Sequence, residues 1–483
     1  MRVLLIYPYS KQQEQNSYAA PLGIAYIAAV LERESHKVSI LDYTTSIVGS
    51  KPYPEVTEEF FNSFKADAVG LSVLTPHYSS FREIAEIIKS LDKDIPIIAG
   101  GPHPSALPEE TLSETFVDIV VRGEGEKTMS ELIPALENGA TLDGLAGISY
   151  KKGGRIIHNI SRRPVEDINK LPFPARHLLR MNDYKVANIM SSRGCPYGCV
   201  YCFKTDGSKY RMRSPESFVD EIGEMVYMYK KTFLNFYDDL FTFDRGRVLQ
   251  ICDLILERNL SIKFRINSRV DTVDTVMLER LREAGCVSIS YGVESGDEEI
   301  LRKIRKNIKI EDVKKAFQMT RDAGISTVSN FMLGFPWETK KSIENTIRLG
   351  EELFKISLEN KFRGAIYSPE NIYINIVTPY PGTAIWDIAK ERGMLENVDF
   401  DKLHITVPNY FSIDDFKGKP IFETPDLKRE DIIDYYRIMN ERTVLLRHPL
   451  KKFAFRSLKM LRELGMGSVA EKMIKVYKKT TGT

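Results

Sequence analysis

Cysteine is scarce in this 483-residue chain: five in all, and none among the first 194 residues. So sparse and odd a set argues against a disulfide framework and for a reducing, cytoplasmic setting. Long hydrophobic runs are missing too. The opening "MRVLLIYPYS" is too short for a signal peptide, and no later stretch approaches the ~20 apolar residues of a spanning helix. Charge of one sign is not in excess either; a formal charge of +2 gives no strong pull toward nucleic acid. There is no Gly-x-Gly-x-x-Gly after the first apolar run, which weakens a dinucleotide-binding reading. What remains is a soluble globular composition, 43% hydrophobic and 28% charged, long enough for two or three domains.

Two α/β series fill most of that length. In the first, the strand candidates "VLLIYP", "KVSILDY", "DAVGLSVL", "DIPIIAGG" and "DIVVRGEG" alternate with segments of helical apolar spacing. Residues 1–145 therefore read as a doubly wound parallel sheet, with its ligand edge at the strand carboxyl ends. Residues 146–185, rich in Gly, Pro and Arg, read as a hairpin-like excursion and a linker. A second series over 186–400 has six strand candidates, from "VANIMSS" to "IYINIVTPYP", and predicts a (β/α)6 partial barrel. Residues 401–483 read as mixed and then helical.

Three of the five cysteines, Cys195, Cys199 and Cys202, fall within "RGCPYGCVYCFKTD". A structural zinc site wants four ligands, usually as two pairs. A redox pair would use Cys199 and Cys202 and leave Cys195 unexplained. Three thiolates on an iron–sulfur cube leave one iron open, as a catalytic cluster requires, and this is the preferred reading over zinc or coincidence. Gly194, Pro196 and Gly198 suit a tight loop around a bulky ligand. Cys252 and Cys286 stand alone and read as core residues.

The triplet, with Tyr201 before its last cysteine and the first strand of the second series behind it, resembles the radical S-adenosylmethionine (SAM) superfamily. The similarity continues through "FYDDLFTFD", "RINSRVD", "YGVESGDEEILRKIRKN", "MLGFPWET" and "TPYPGT". The resemblance implies a 4Fe-4S cluster on the three cysteines, SAM chelated at the open iron, and reductive cleavage to a 5′-deoxyadenosyl radical. It also implies an electron donor such as flavodoxin or ferredoxin. Candidate SAM contacts at strand ends are Tyr201, Asp238, Arg269, Glu294, Gly334 and Pro336. Asp238 and Asp239 depart from the glycine-rich acidic motif common at the second strand end of the family.

The first series carries small-residue loops after its third, fourth and fifth strands: "SVLTPHYSS", "AGGPHPSA" and "RGEGEKT". This order resembles the cobalamin-binding domains found ahead of radical SAM barrels. Gly100 and Gly101 would let a large flat ligand approach the backbone, with Ser72, Thr75 and Glu124 as polar contacts. The D-x-H-x-x-G loop that supplies a histidine to cobalt in the methionine-synthase type is absent. His77 and His103 read as turn or helix caps rather than cobalt ligands. Radical SAM methylthiotransferases carry cysteines in their first domain, which this chain lacks.

These resemblances imply a cobalamin-dependent radical SAM methyltransferase acting on an unactivated carbon of a small-molecule or lipid substrate. One SAM would supply methyl to cobalamin and another the substrate radical. Oxidative cyclisation or rearrangement, on a porphyrin-like or lipid substrate, is the second enzymatic reading. A non-catalytic cobalamin or iron–sulfur sensor is the reading from another class. Residues 445–479 hold ten basic and two acidic residues. There "HPLKKFAFRSLKMLRELG" sets an apolar stripe opposite lysines and arginines, read as a packed terminal helix, with peripheral membrane contact as the alternative.

Overall fold

The computed structural model describes residues 1–10, 19–47, 49, 51–204, 207–358, 371–396, 398–400, 403 and 421–447. The basic helix expected within the carboxyl-terminal residues, and most of the region 401–483, lie outside the described residues.

The first sheet has β1 (Arg2–Tyr7), β2 (Lys37–Asp42), β3 (Ala68–Ser72), β4 (Ile97–Gly100) and β5 (Ile119–Val121) in parallel, in the order β2-β1-β3-β4-β5. Val3 to Ile6 are buried without interruption, as expected of a parallel strand covered on both faces. The expected hairpin is present as β6 (Ile148–Lys152) and β7 (Arg155–His158), but it joins this sheet. β6 pairs antiparallel with β5 and β7 with β6.

The rest of the expected linker is a packed strap. Ala175 N donates to Ala25 O at 3.0 Å, Tyr184 Oη to Asp42 Oδ2 at 2.6 Å and Ser46 N to Asp183 Oδ2 at 2.9 Å. The strap's Arg176, fully buried, pairs with Glu221, which also binds Arg213. A segment of loop composition becomes core here because the first sheet and the barrel satisfy its polar groups. One continuous apolar core runs from Val3 and Leu5 through Ala25 and Tyr184 to Phe236, and a second covers the other face of the first sheet.

The second sheet comprises β8 (Ala187–Ile189), β11 (Phe233–Phe236), β12 (Lys263–Ser268), β13 (Cys286–Glu294), β14 (Ser326–Leu333) and β15 (Asn371–Ile376). All are parallel and stand in sequence order. Between β8 and β11 a small antiparallel pair forms from β9 (Ser192–Arg193) and β10 (Arg211–Met212). Along each barrel strand the apolar residues alternate outward, so Leu234, Phe236, Phe264, Ile266, Ile289, Tyr291 and Phe331 meet the helices. Cys252 and Cys286 belong to this core.

The inward positions are polar. Asn235 Nδ2 donates to Asn188 Oδ1 at 2.9 Å, and Asn330 Nδ2 to Ser290 Oγ at 2.9 Å. A barrel built only for packing fills its interior with branched apolar side chains. This one carries amides and hydroxyls there, which suits a polar ligand.

Candidate active site

The cysteine loop is pinched at its base and held from three sides. Gly194 sits at φ +80°, and a Cβ there would lie 2.4 Å from Lys209 O, so only glycine permits the two ends of the loop to meet. At its second cysteine, the loop docks on the turn that follows the short helix Glu298–Lys303. Val200 N donates to Ile304 O at 3.2 Å, and Cys199 Sγ lies 3.9 Å from Arg305 O. The next carbonyl, Lys306 O, accepts from Arg269 Nη2 at 3.0 Å. Three consecutive carbonyls thus join the cysteine loop to the ends of β12 and β13.

Arg269 stacks over Tyr197, 3.7 Å from guanidinium carbon to ring centroid, and is braced by Asp271 at 2.9 and 2.8 Å. Glu294 ends β13 at a register shift and adopts φ +68°, uncommon for a residue with a Cβ. The bulge turns its carboxylate inward to Lys306 Nζ at 3.2 Å. A Cβ at Gly292 would lie 2.4 Å from Glu294 Oε1 and 2.7 Å from Lys306 Nζ, so the pair occupies space that only glycine leaves. Tyr201 packs against Phe335, with ring centroids 5.9 Å apart, in the turn after β14.

Cys199, Tyr197, Tyr201, Arg269, Glu294 and Lys306 therefore form one neighbourhood. The hydrogen bond from Cys202 pulls the Cys199 thiol down, with Lys306, Tyr201 and Arg269 acting in the same direction. Cys202, the partner in that bond, is raised. Burial raises Cys195 as well, so what favours metal-bound sulfur here is the positive charge of Lys306 and Arg269 beside Cys199, because ligation releases the thiol proton.

Lys306 was not among the sequence candidates. It lies in the run "RKIRKN", but four basic residues crowd there and only the fold buries this one. Asp238 must be reassigned. It is fully buried, accepting from Ser191 N and Ser192 Oγ, both at 2.7 Å, and from Ser191 Oγ, so it fixes the turn ahead of the triplet instead of facing a cofactor. Asp239 is exposed at the same strand end.

Gly334 (φ +93°) and Pro336 form a buried turn closed from within. Glu338 Oε2 accepts from Gly334 N at 2.6 Å and Phe335 N at 3.0 Å, while its other oxygen is buried without a partner. Burial pushes the Glu338 carboxyl from 4.5 up to about 8. Raising the folded value means that the folded protein binds more protons than the unfolded chain between those limits. Stability is therefore expected to fall as pH rises from 4.5 to 8, by on the order of 4 kcal/mol. E338Q should flatten that dependence in denaturation curves taken across the window. An unchanged slope would refute it.

In the first sheet, Gly101 sits at φ +100°, where a Cβ would meet Val73 O at 2.9 Å, and holds the loop after β4 flat beside β3. G101A is expected to cost about 1–3 kcal/mol through strain and to weaken cobalamin uptake, read by chemical denaturation and visible absorbance. Wild-type stability and uptake would count against this role. Ser72 and Gly100 lie partly exposed at this strand edge. The Thr75 hydroxyl lies 3.4 Å from His103 Nδ1.

His103 is fully buried against Tyr78 and Phe400, and burial holds its imidazole down at about 3. His77 is buried against Tyr7. Both environments suit a packed role rather than cobalt ligation. The unpartnered, buried Nε2 of His103 and the small-residue loop leave this edge chemically open to a polar-rimmed flat ligand. Glu124 departs from its expected role. Its carboxylate is taken up by Val165 N at 2.6 Å and Arg211 Nη1 at 2.8 and 3.0 Å.

The two carboxyl edges converge. A Cβ at Gly382, in the "TPYPGT" turn, would lie 2.4 Å from the Phe203 ring and 3.1 Å from Ala106 Cβ. Phe203 follows Cys202, and Ala106 closes the helix that starts at Pro102, beside Gly101.

The B12 binding domain model matches residues 15–133, and the Radical SAM superfamily model matches residues 189–350. An uncharacterized methyltransferase of Pyrococcus horikoshii is 30% identical over 447 residues, covering 90% of this chain and 92% of that protein. This chain is a radical SAM protein with a B12-binding domain. The anaerobic magnesium-protoporphyrin IX monomethyl ester cyclase of Rubrivivax gelatinosus is 28% identical, covering 84% of this chain and 73% of that protein. Two solved radical SAM structures share the fold. OxsB with aqua-cobalamin has a TM-score of 0.73 at 18% identity, covering 100% of this chain and 75% of that one. TsrM from Kitasatospora setae, with cobalamin and a [4Fe-4S] cluster, has a TM-score of 0.67 at 19% identity, covering 82% and 75%. No helix among the described residues is long and apolar enough to cross a membrane.

Proposed function

We propose that this chain is a cobalamin-dependent radical SAM methyltransferase acting on an unactivated carbon of a small molecule or lipid. The observation that carries the reading is the convergence at Gly382 of the cysteine loop and the Gly100–Gly101 loop. With both cofactors bound, this contact would bring their two loops to one side of a shared substrate. Cys195, Cys199 and Cys202 would hold the cluster, with Tyr201, Arg269, Glu294 and Lys306 around SAM, and the loops at Ser72, Thr75, Gly100 and Gly101 would hold cobalamin. When bound, the cluster supplies an electron and an open iron site to SAM, and cobalamin supplies a methyl carrier.

The chain's own contribution is orientation. Arg269, braced by Asp271 and Lys306 O, fixes the wall opposite the cysteine loop, and the Glu294–Lys306 pair offers one acceptor and one donor at a fixed height. The electron would come from a flavodoxin- or ferredoxin-like donor, and the basic carboxyl-terminal segment would serve contact with a membrane surface if the substrate is a lipid. Cyclisation is the second reading, favoured by similarity to the Rubrivivax gelatinosus cyclase.

Reduced protein with SAM is expected to release 5′-deoxyadenosine slowly before any substrate is known. With substrate and methyl-labelled SAM, the label should enter the product while S-adenosylhomocysteine accumulates. An unlabelled, ring-closed product would favour the cyclase. No deoxyadenosine, with cluster and SAM both bound, would favour a sensor.

A further inference from the structure

The cysteine loop leaves the barrel at Arg193 and returns at Arg211, and these two residues face each other in the β9–β10 pairing. Both guanidiniums converge on one carboxylate of the other sheet. Arg211 Nη1 lies 2.8 Å from Glu124 Oε1, and Arg193 Nη1 lies 3.4 Å from the same oxygen. Arg193 Nη2 also donates to Glu126 Oε1 at 2.6 Å. All four side chains are buried, with at most 7% exposed. Glu124 and Glu126 sit in the "GEGE" loop after β5, within the segment matched by the B12 binding domain.

Burying such charges costs several kcal/mol of desolvation, which close pairing offsets only in good geometry. What such an arrangement supplies is register. Backbone pinching at Gly194 closes the loop but leaves its tilt against the first sheet undetermined; a carboxylate shared by both ends sets it.

We infer that Glu124, assisted by Glu126, is a positioning residue for the iron–sulfur cluster. The B12-binding domain thereby clamps the loop that carries the three cysteines, and cluster retention depends on a domain that supplies no ligand to it. This rests on the radical SAM reading above.

The test uses full-length protein, reconstituted anaerobically, with E124Q, which keeps volume and an acceptor for Val165 N but removes the charge. E124Q is expected to fold by circular dichroism and to take up cobalamin as wild type does. Its iron should pass to a chelator about tenfold faster, the loss expected when charge-assisted bonds become neutral ones. The electron paramagnetic resonance signal of its reduced cluster should broaden, and E124D should fall between the two. Wild-type chelation rate and spectrum in folded E124Q would overturn the inference. If E124Q does not fold, E126Q replaces it, with about threefold faster loss expected and a wild-type rate again overturning the inference. A wild-type chain that assembles no cluster would instead overturn the radical SAM reading, and this inference with it.

Discussion

Replacing Cys195, Cys199 and Cys202 together by alanine is expected to lower bound iron at least tenfold from about four atoms per chain, the content of one cubane cluster. Release of 5′-deoxyadenosine from SAM should fall to the background of protein-free controls. The fold should survive. None of the three cysteines is buried, whereas the core residues Cys252 and Cys286 are. Truncating partly exposed thiols removes little apolar contact, so each change should shift apo stability by no more than about 0.5 kcal/mol. Iron analysis, the visible spectrum and denaturation of the apo forms check the two halves separately. Full iron retention in the triple variant would remove the triplet from the metal site.

K306M is expected to destabilise the protein by about 3–5 kcal/mol, because it leaves the Glu294 carboxylate buried without its counter-ion. The double variant E294M/K306M should recover most of that loss, since apolar side chains of similar volume replace the pair. SAM affinity separates structure from function. If Glu294 and Lys306 face the cofactor, the double variant should regain stability yet bind SAM at least tenfold more weakly, a loss of about 1.4 kcal/mol or more. Wild-type SAM affinity in the stable double variant would reduce the pair to a structural bridge.

The amino-acid order by itself determined the layout of this protein. Local periodicity is enough for that: strand and helix patterns are written within each segment, and parallel strands in a βαβ series have few ways to be ordered. The cysteine spacing is likewise local, since one loop must present all three sulfurs. The strand-end candidates Arg269 and Glu294 were legible for a related reason. A residue closing a strand in such a series must lie at the carboxyl edge, whatever the details of packing.

Direction and partnership were decided only by the tertiary structure. Asp238 and Asp239 are neighbours of identical chemistry, but one is buried on Ser191 and Ser192 and the other exposed. Lys306 was one basic residue among four until the turn at Ile304–Lys306 carried it under Gly292. Glu124 lies on a loop at the expected ligand edge, yet its carboxylate turns to Arg193 and Arg211, residues far along the chain. The strap over 159–185 has the composition of a linker and the hydrogen bonds of a core segment. In each case the deciding energy is desolvation, which depends on what the rest of the chain places opposite a polar group. One sequence read locally carries no record of that.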